Sequence, residues 1–234
     1  VFLAVPSIGQ DKSETTQAPA TINFGVRPRY TLDPQRLKRK PVLDGVISAN
    51  EWDPLYTITD GPVKGTVYMN WDDDNVYVAV RADQPALLVF DLDCNADGWL
   101  RGADNLELVL GPAAEGVAAT VTAKILDAAG SKDAPVWNEK VVDPKAIQSA
   151  QKADANGWTL EFAIPRGIAG LSPRVGATLS VRADLLPAGA QFKPSAPYEP
   201  HLLVDVSLVE SRTISAPGMT PRLSLEDTKL IPGQ

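Results

Sequence analysis

Short runs of β-forming residues, broken at close intervals by turn residues, constrain the fold of this chain most. Residues 66–71 and 75–81 are both rich in aromatic and β-branched side chains. The acidic triplet 72–74 separates the two runs, so the pattern predicts a β-hairpin. Twenty prolines and 17 glycines among 234 residues also favour many short strands over long helices.

The same pattern predicts further strands along most of the chain: 87–92, 105–110, 117–126, 158–164, 178–184, 202–208 and 222–225. Short helices are predicted at 48–53, where Ser48 and Glu51 have capping-box spacing, and at 144–152, which begins with a proline. Eight to ten strands at this spacing predict an all-β fold, an antiparallel β-sandwich with immunoglobulin-like or jelly-roll-like layers and one or two short helices.

Charge and residue usage exclude several functions. The net charge is −7, whereas a phosphate-binding surface needs clustered Lys and Arg, so nucleic acid is not expected as a partner. No window has the roughly 18 apolar residues that a membrane span requires. Cys94 is the one cysteine and His201 the one histidine, and no nucleophile or phosphate-loop motif is present, so we expect no enzyme activity.

Composition divides the chain into three parts. Residues 1–9 resemble the end of a signal peptide, with a short apolar N-terminal strand or a partner-binding tail as the alternatives; the signal interpretation predicts an exported, extracellular or periplasmic protein. Residues 10–40 form a predicted extended arm, polar at first and basic from residue 27, which is either a solvated linker or a docking segment. Residues 41–234 form the predicted sandwich.

A polar stretch between two predicted strands has the spacing of a calcium-binding loop. Counted from Asp93, oxygen-bearing side chains occupy position 1, position 3 (Asn95) and position 5 (Asp97), followed by a glycine at position 6. The backbone carbonyl of Trp99 falls at position 7 and the carboxylate of Asp104 at position 12. The spacing predicts a structural Ca²⁺ site with these five ligands, and the alternative is a polar connection in which Asp and Asn form Asx-turns.

Four motifs, in order, resemble the family 9 carbohydrate-binding modules and their relatives in the DOMON-like superfamily. They are the D-G-x-I…E-W start at 44–52, the W-D-D hairpin at 71–78, the D-N-L-E-L strand at 104–108 and the G-W-T-L-E-F-A-I-P strand at 157–165. The resemblance covers about residues 41–226 and implies a non-catalytic sandwich that binds glycan, usually as part of a larger extracellular protein.

The family also places two sugar-stacking tryptophans. Trp99 lies where the resemblance implies the first, and an exposed indole offers a flat apolar face to a pyranose. The region of the second contains no tryptophan, and Phe192 and Tyr198 are the aromatic residues that would replace it. We therefore expect a calcium-stabilised carbohydrate-binding module.

Two alternatives stay open. The first is an accessory or structural subunit of a larger envelope complex, docked through the N-terminal arm and without a glycan ligand. The second is a haem-binding domain of the same superfamily, for which Met69, Met219 and His201 are the available axial ligands. Trp52, Trp71 and Trp158 lie within the strand or helix motifs and are predicted to be core residues.

Overall fold

The protein is an all-β sandwich of two sheets. A computed structural model describes residues 35–59, 61–98, 102–113, 119–131, 134–191 and 203–210. The strands are β1 (Gln35–Leu37), β2 (Pro54–Ile58), β3 (Gly65–Trp71), β4 (Asn75–Ala82), β5 (Ala86–Asp93), β6 (Asn105–Gly111), β7 (Thr120–Ser131), β8 (Ala134–Val141), β9 (Gln148–Asp154), β10 (Gly157–Pro165), β11 (Thr178–Pro187) and β12 (Val204–Val209).

One sheet has seven strands in the order β1-β12-β11-β5-β6-β7-β8, and the other has five in the order β2-β3-β4-β10-β9. All neighbouring strands pair antiparallel except β1 and β12, which are parallel. The predicted sandwich is therefore confirmed, with one parallel pair at its edge.

Alternating apolar residues from the two sheets form the core between them. Phe90 on β5 meets Phe162 on β10 edge to face, with ring centroids 5.5 Å apart. Trp71, Trp158 and Met69 are buried in the same cluster, at 0 %, 2 % and 0 % exposure. The predicted core role of Trp71 and Trp158 is thus confirmed, and Met69 fills core space.

The predicted hairpin is present, and an aspartate stabilises its turn. Asp72 Oδ1 accepts hydrogen bonds from the backbone N–H groups of Asp74 and Asn75, at 2.9 and 2.7 Å. Its Oδ2 accepts from the Tyr77 hydroxyl at 2.7 Å. The acidic triplet therefore separates β3 from β4 by an Asx-type turn, as these residues favour.

The structure has no α-helix at either of the two positions where the sequence predicts one. Residues 144–152 begin with a single 3₁₀ turn, Pro144–Ala146, and then form β9, which pairs with β10 along its length. Near residue 48 there is one turn. There Glu51 Oε1 accepts a hydrogen bond from the backbone N–H of Val42 at 2.6 Å, and not from the N–H of Ser48 as in the predicted capping box. Sheet pairing and this longer-range hydrogen bond override the local helix signals. A second 3₁₀ turn lies at Ile168–Gly170.

The C-terminal end of the predicted arm lies against the sandwich. β1 pairs with β12, and Lys38 bridges to Trp71 in the other sheet. Trp71 Nε1 donates to the Arg36 carbonyl at 2.8 Å. Residues 1–34 and 211–234 lie outside the described residues, so the signal remnant, most of the arm and the predicted strand at 222–225 stay predictions.

A segment of chain without strand structure, residues 43–52, crosses the outer face of the five-stranded sheet. Trp52 packs there with Tyr77, Ala79 and Ala163 in a second apolar cluster. Segment 43–52 contains the D-G-x-I…E-W motif. This motif therefore lies on the outer face of the five-stranded sheet.

The buried Glu161 on β10 holds this segment to the sheet. Its Oε2 accepts from the backbone N–H groups of Asp44 and Gly45, at 2.8 and 2.7 Å, and its Oε1 accepts from Trp52 Nε1 at 3.1 Å. Gly45 has φ +80°, and a Cβ there would lie 2.8 Å from the backbone of Gln151, so only glycine fits. Burial raises the pKa of Glu161 to about 7, against the two backbone hydrogen bonds, which lower it.

The raised pKa of Glu161 makes stability depend on pH. The folded state holds this proton more tightly than the unfolded chain, so the contribution is full below about pH 4.5 and is lost as the pH rises through about 7. We expect the free energy of unfolding, measured by urea denaturation in chelator, to fall across this window. Glu161→Gln should flatten the slope, whereas Glu210→Gln, at an exposed carboxyl just after β12, should keep it. Equal slopes in all three proteins would contradict the assignment.

Candidate functional site

The predicted metal loop connects two central strands of the seven-stranded sheet. β5 ends at Asp93 and β6 begins at Asn105, which pair with each other. The Cys94 N–H donates to the Asp104 carbonyl at 3.0 Å and closes the base of the loop. Both ends of the loop are therefore fixed by the sheet.

Backbone hydrogen bonds fold the first half of the loop around Asp93. Its Oδ1 accepts from the Asn95 N–H at 3.2 Å and its Oδ2 from the Gly98 N–H at 2.8 Å. Gly98 has φ +87°, the left-handed conformation that the predicted sharp turn requires. Asn95 Oδ1 in turn accepts from the Asp97 N–H at 2.9 Å. The Asx-turns of the alternative interpretation are thus present in the same loop as the clustered carboxylates.

Three of the five predicted ligands come together. Carboxylate oxygens of Asp93, Asp97 and Asp104 all lie within 4.8 Å of one another, with Asp93 buried, Asp97 exposed and Asp104 half-buried. Asn95 lies beside them, its Nδ2 donating to Asp97 Oδ2 at 3.4 Å. Trp99 lies outside the described residues, as do Phe192, Tyr198 and His201. The cluster can hold a metal ion.

The electrostatics of the cluster favour a cation. Burial, together with the charges of Asp97 and Asp104, raises the pKa of Asp93 to about 6. Burial also raises the pKa of Asp104, whose Oδ2 is buried and accepts no hydrogen bond. A cation between these carboxylates would relieve their repulsion and give the Asp104 oxygen a partner, so the donor set fits a metal.

The donors of this cluster are oxygens. Burial, together with the charges of Asp93 and Asp104, raises the pKa of the neighbouring Cys94 thiol to about 12. At neutral pH this sulfur is a thiol, whereas soft metals are bound by the thiolate. Hard cations prefer a carboxylate set of this kind.

A row of four charged residues lies next to the cluster, and sequence reasoning did not find it. Arg182 on β11 pairs with Asp91 on β5, Asp91 pairs with Glu107 on β6, and Glu107 pairs with Lys124 on β7. Directly paired residues share a face, and this face is opposite to the core face that carries Phe90. Asp91 and Glu107 are each 1 % exposed. We call these four residues the charged row.

The sequence contains a weak signal for this row. Asp91 and Asp93 stand at alternate positions of an otherwise apolar strand, as do Asn105 and Glu107. Strand alternation places each pair on one face, away from the core. Which strands lie side by side is set by the fold, so the row becomes visible only with the strand order.

The structure also tests the remaining tryptophan prediction and the membrane prediction. Trp52 is 5 % exposed, which confirms its core role. Within the described ranges no helix is long and apolar enough to cross a membrane.

Comparison with known proteins shows similarity at the level of fold. No protein-family model and no curated protein matches the sequence. Among solved structures, the chain is similar to a family 9 carbohydrate-binding module from Caldicellulosiruptor kristjanssonii in complex with cellotriose, at 15 % identity and a TM-score of 0.52, covering 77 % of this chain and 95 % of that one. The complex of a family 9 module from the same organism with glucose gives 16 % identity, a TM-score of 0.52 and coverages of 78 % and 98 %. The fold is therefore that of a family 9-like module.

Metal binding at the cluster should stabilise the wild-type chain. With 10 mM of a divalent cation and a Kd of about 1 mM, the gain is about 1.4 kcal/mol, or about 3–6 °C in Tm. Asp97→Asn removes one ligand charge, so it should lose this gain and match the wild type in chelator. Asp154→Asn at the end of β9 is the matched control, because its Oδ1 forms a comparable turn with the Asn156 N–H. A Tm loss for Asp97→Asn that is equal with and without cation would contradict the site.

The stabilisation by cation should also depend on pH. A metal ligand must be deprotonated, and the pKa of Asp93 is raised to about 6. We expect the cation-induced gain in Tm to be full at pH 7.5 and to disappear as the pH falls through about 6. Differential scanning fluorimetry with and without cation at each pH measures this, and a gain that is constant down to pH 5 would contradict the role of Asp93.

Proposed function

We propose that this chain is a non-catalytic, calcium-stabilised carbohydrate-binding module of an exported protein, acting outside the cytoplasm. The observation that carries the proposal is the carboxylate cluster of Asp93, Asp97 and Asp104, in a loop at the end of a polar sheet face, within a fold shared with family 9 modules.

Calcium is the cation that suits the loop best. It takes six to eight oxygen ligands at about 2.3–2.6 Å in flexible geometry. The three carboxylates would supply most of the shell, with Asn95 Oδ1 and the Trp99 carbonyl as the remaining protein ligands in the predicted spacing. Zinc is disfavoured because the pKa of Cys94 is raised to about 12, which keeps the sulfur a thiol at neutral pH.

Calcium would have a structural role in this proposal. The ion would hold the loop in the conformation that follows from Asp93 and Gly98 and thereby fix the position of Trp99. An ordered loop presents the indole face without the entropic cost of ordering it on ligand binding. The ion would make no contribution to bond cleavage.

The charged row supports a sugar as the ligand. Its two carboxylates are buried, but the partly exposed Arg182 and Lys124 side chains can donate hydrogen bonds to hydroxyl and ring oxygens. The formal charges of Arg182, Asp91, Glu107 and Lys124 sum to zero, which suits a neutral ligand. The two similar structures are described as complexes with cellotriose and glucose, both neutral sugars. Trp99 is the proposed stacking residue, with Phe192 or Tyr198 as the second aromatic contact.

A glycan-array screen of the purified chain in calcium and in chelator tests this function. We expect binding to neutral glycans in calcium, weaker binding in chelator, and loss of binding in Trp99→Ala with partial recovery in Trp99→Phe, because the phenyl ring retains part of the stacking face. A blank array from protein that calcium still stabilises would contradict the glycan proposal. It would favour the accessory-subunit alternative.

That alternative has a separate test. Deleting residues 10–34 removes most of the predicted docking arm and retains β1, so the sandwich keeps its edge strand. A glycan-binding module should keep its sugar affinity after this deletion, whereas an accessory subunit should lose its complex.

A further inference from the structure

The metal cluster and the charged row lie on the same face of the same two strands. Asp91 and Asp93 are two residues apart on β5, and the Asn105–Asp93 pair is followed by the Glu107–Asp91 pair in the register of β5 with β6. Residues two apart along a strand are separated by about 6.5–7 Å. Asp91 and Glu107 of the row therefore lie next to Asp93 and Asn105, two residues along each strand.

Negative charge accumulates at this end of the face. Asp91 and Glu107 stand directly opposite each other, where Cβ atoms are about 5 Å apart and like charges repel. The cluster adds three further carboxylates, from Asp93, Asp97 and Asp104. The positive charge of Arg182 is shared with a further carboxylate, because its Nη2 lies 2.5 Å from Asp184 Oδ2.

Burial makes this arrangement sensitive to a nearby ion. Asp91 and Glu107 are 1 % exposed and Asp93 is 0 % exposed, so water screens their interactions weakly. A charge held in such surroundings acts over several ångströms more strongly than on an open surface. A divalent cation would compensate the row as well as its own ligands.

We infer that Asp91 and Glu107, which are not among the proposed ligands, set the affinity of the cluster for its cation, while Lys124 opposes it. The inference rests on the proposed function, because it concerns the same metal site. It makes the charged row and the ion one coupled unit, in which a change of charge on the row changes cation binding. Coupling of this kind is reciprocal, so cation binding would also change the affinity of the charged row for a ligand bound to it.

Isothermal titration of the full chain with CaCl₂ tests this inference. Glu107→Gln removes one negative charge at nearly constant volume and should weaken calcium binding by about three- to tenfold. Asp91→Asn should act in the same direction, from the neighbouring strand. Lys124→Gln removes an opposing positive charge and should strengthen binding by a smaller factor. Circular dichroism confirms that each variant is folded.

At pH 8, above the pKa of about 7 of Glu161, Glu161→Gln is the matched control, because it neutralises another buried carboxylate, on β10 in the opposite sheet. Its calcium affinity should change by less than about twofold. If the coupling acts through charge, the calcium affinity should fall in Glu107→Gln and rise in Lys124→Gln. A general loss of packing would lower the calcium affinity of both variants.

The outcomes separate the inference from the proposed function. If the wild-type chain binds no calcium, both fail. If the wild type binds calcium but Glu107→Gln and Asp91→Asn bind it equally well, the coupling is wrong and the metal site stands. An effect of Glu161→Gln as large as that of Glu107→Gln would also overturn the coupling.

Discussion

The antiparallel register between β5 and β6 is the constraint on which the proposed site depends. It pairs Asp93 with Asn105 and Asp91 with Glu107, so one pairing pattern places the metal cluster and the charged row side by side. A shift by one residue would turn these polar side chains into the core and bring Phe90 and its neighbours outward. The apolar core therefore fixes the positions of the groups on the opposite face.

The outer faces of the two sheets differ in the residues that they carry. Segment 43–52 covers part of the five-stranded sheet, where Trp52 packs on Ala79 and Ala163 and Glu161 fixes its backbone. The seven-stranded sheet instead places charged side chains opposite the core across four neighbouring strands. Burying charge is costly unless it is compensated, whereas burying an indole is favourable. One face thus contributes stability, and the other carries the charged row next to the carboxylate cluster.

Much of this arrangement could be predicted where the determining interactions are local. The hairpin at 66–81 and the first half of the metal loop, from Asp93 to Gly98, depend on residues within a few positions of one another, and their turns form as expected. The helix predicted at 144–152 was wrong because pairing with β10 outweighs the local signal. The charged row was missed because Arg182 and Asp91 lie about 90 positions apart in sequence, and only the strand order makes them neighbours.

The parallel pairing of β1 with β12 has a mechanical consequence. Gln35, Arg36 and Leu37 align with Ser207, Leu208 and Val209, and Lys38 adds a backbone hydrogen bond to Val209 at 2.9 Å. Tension between the N-terminal end of β1 and the C-terminal end of β12 pulls two parallel strands past each other. Their hydrogen bonds are then loaded together in shear instead of breaking one after another, as they would when a hairpin is peeled open. A module attached through these two strands would therefore resist extension along its sheet.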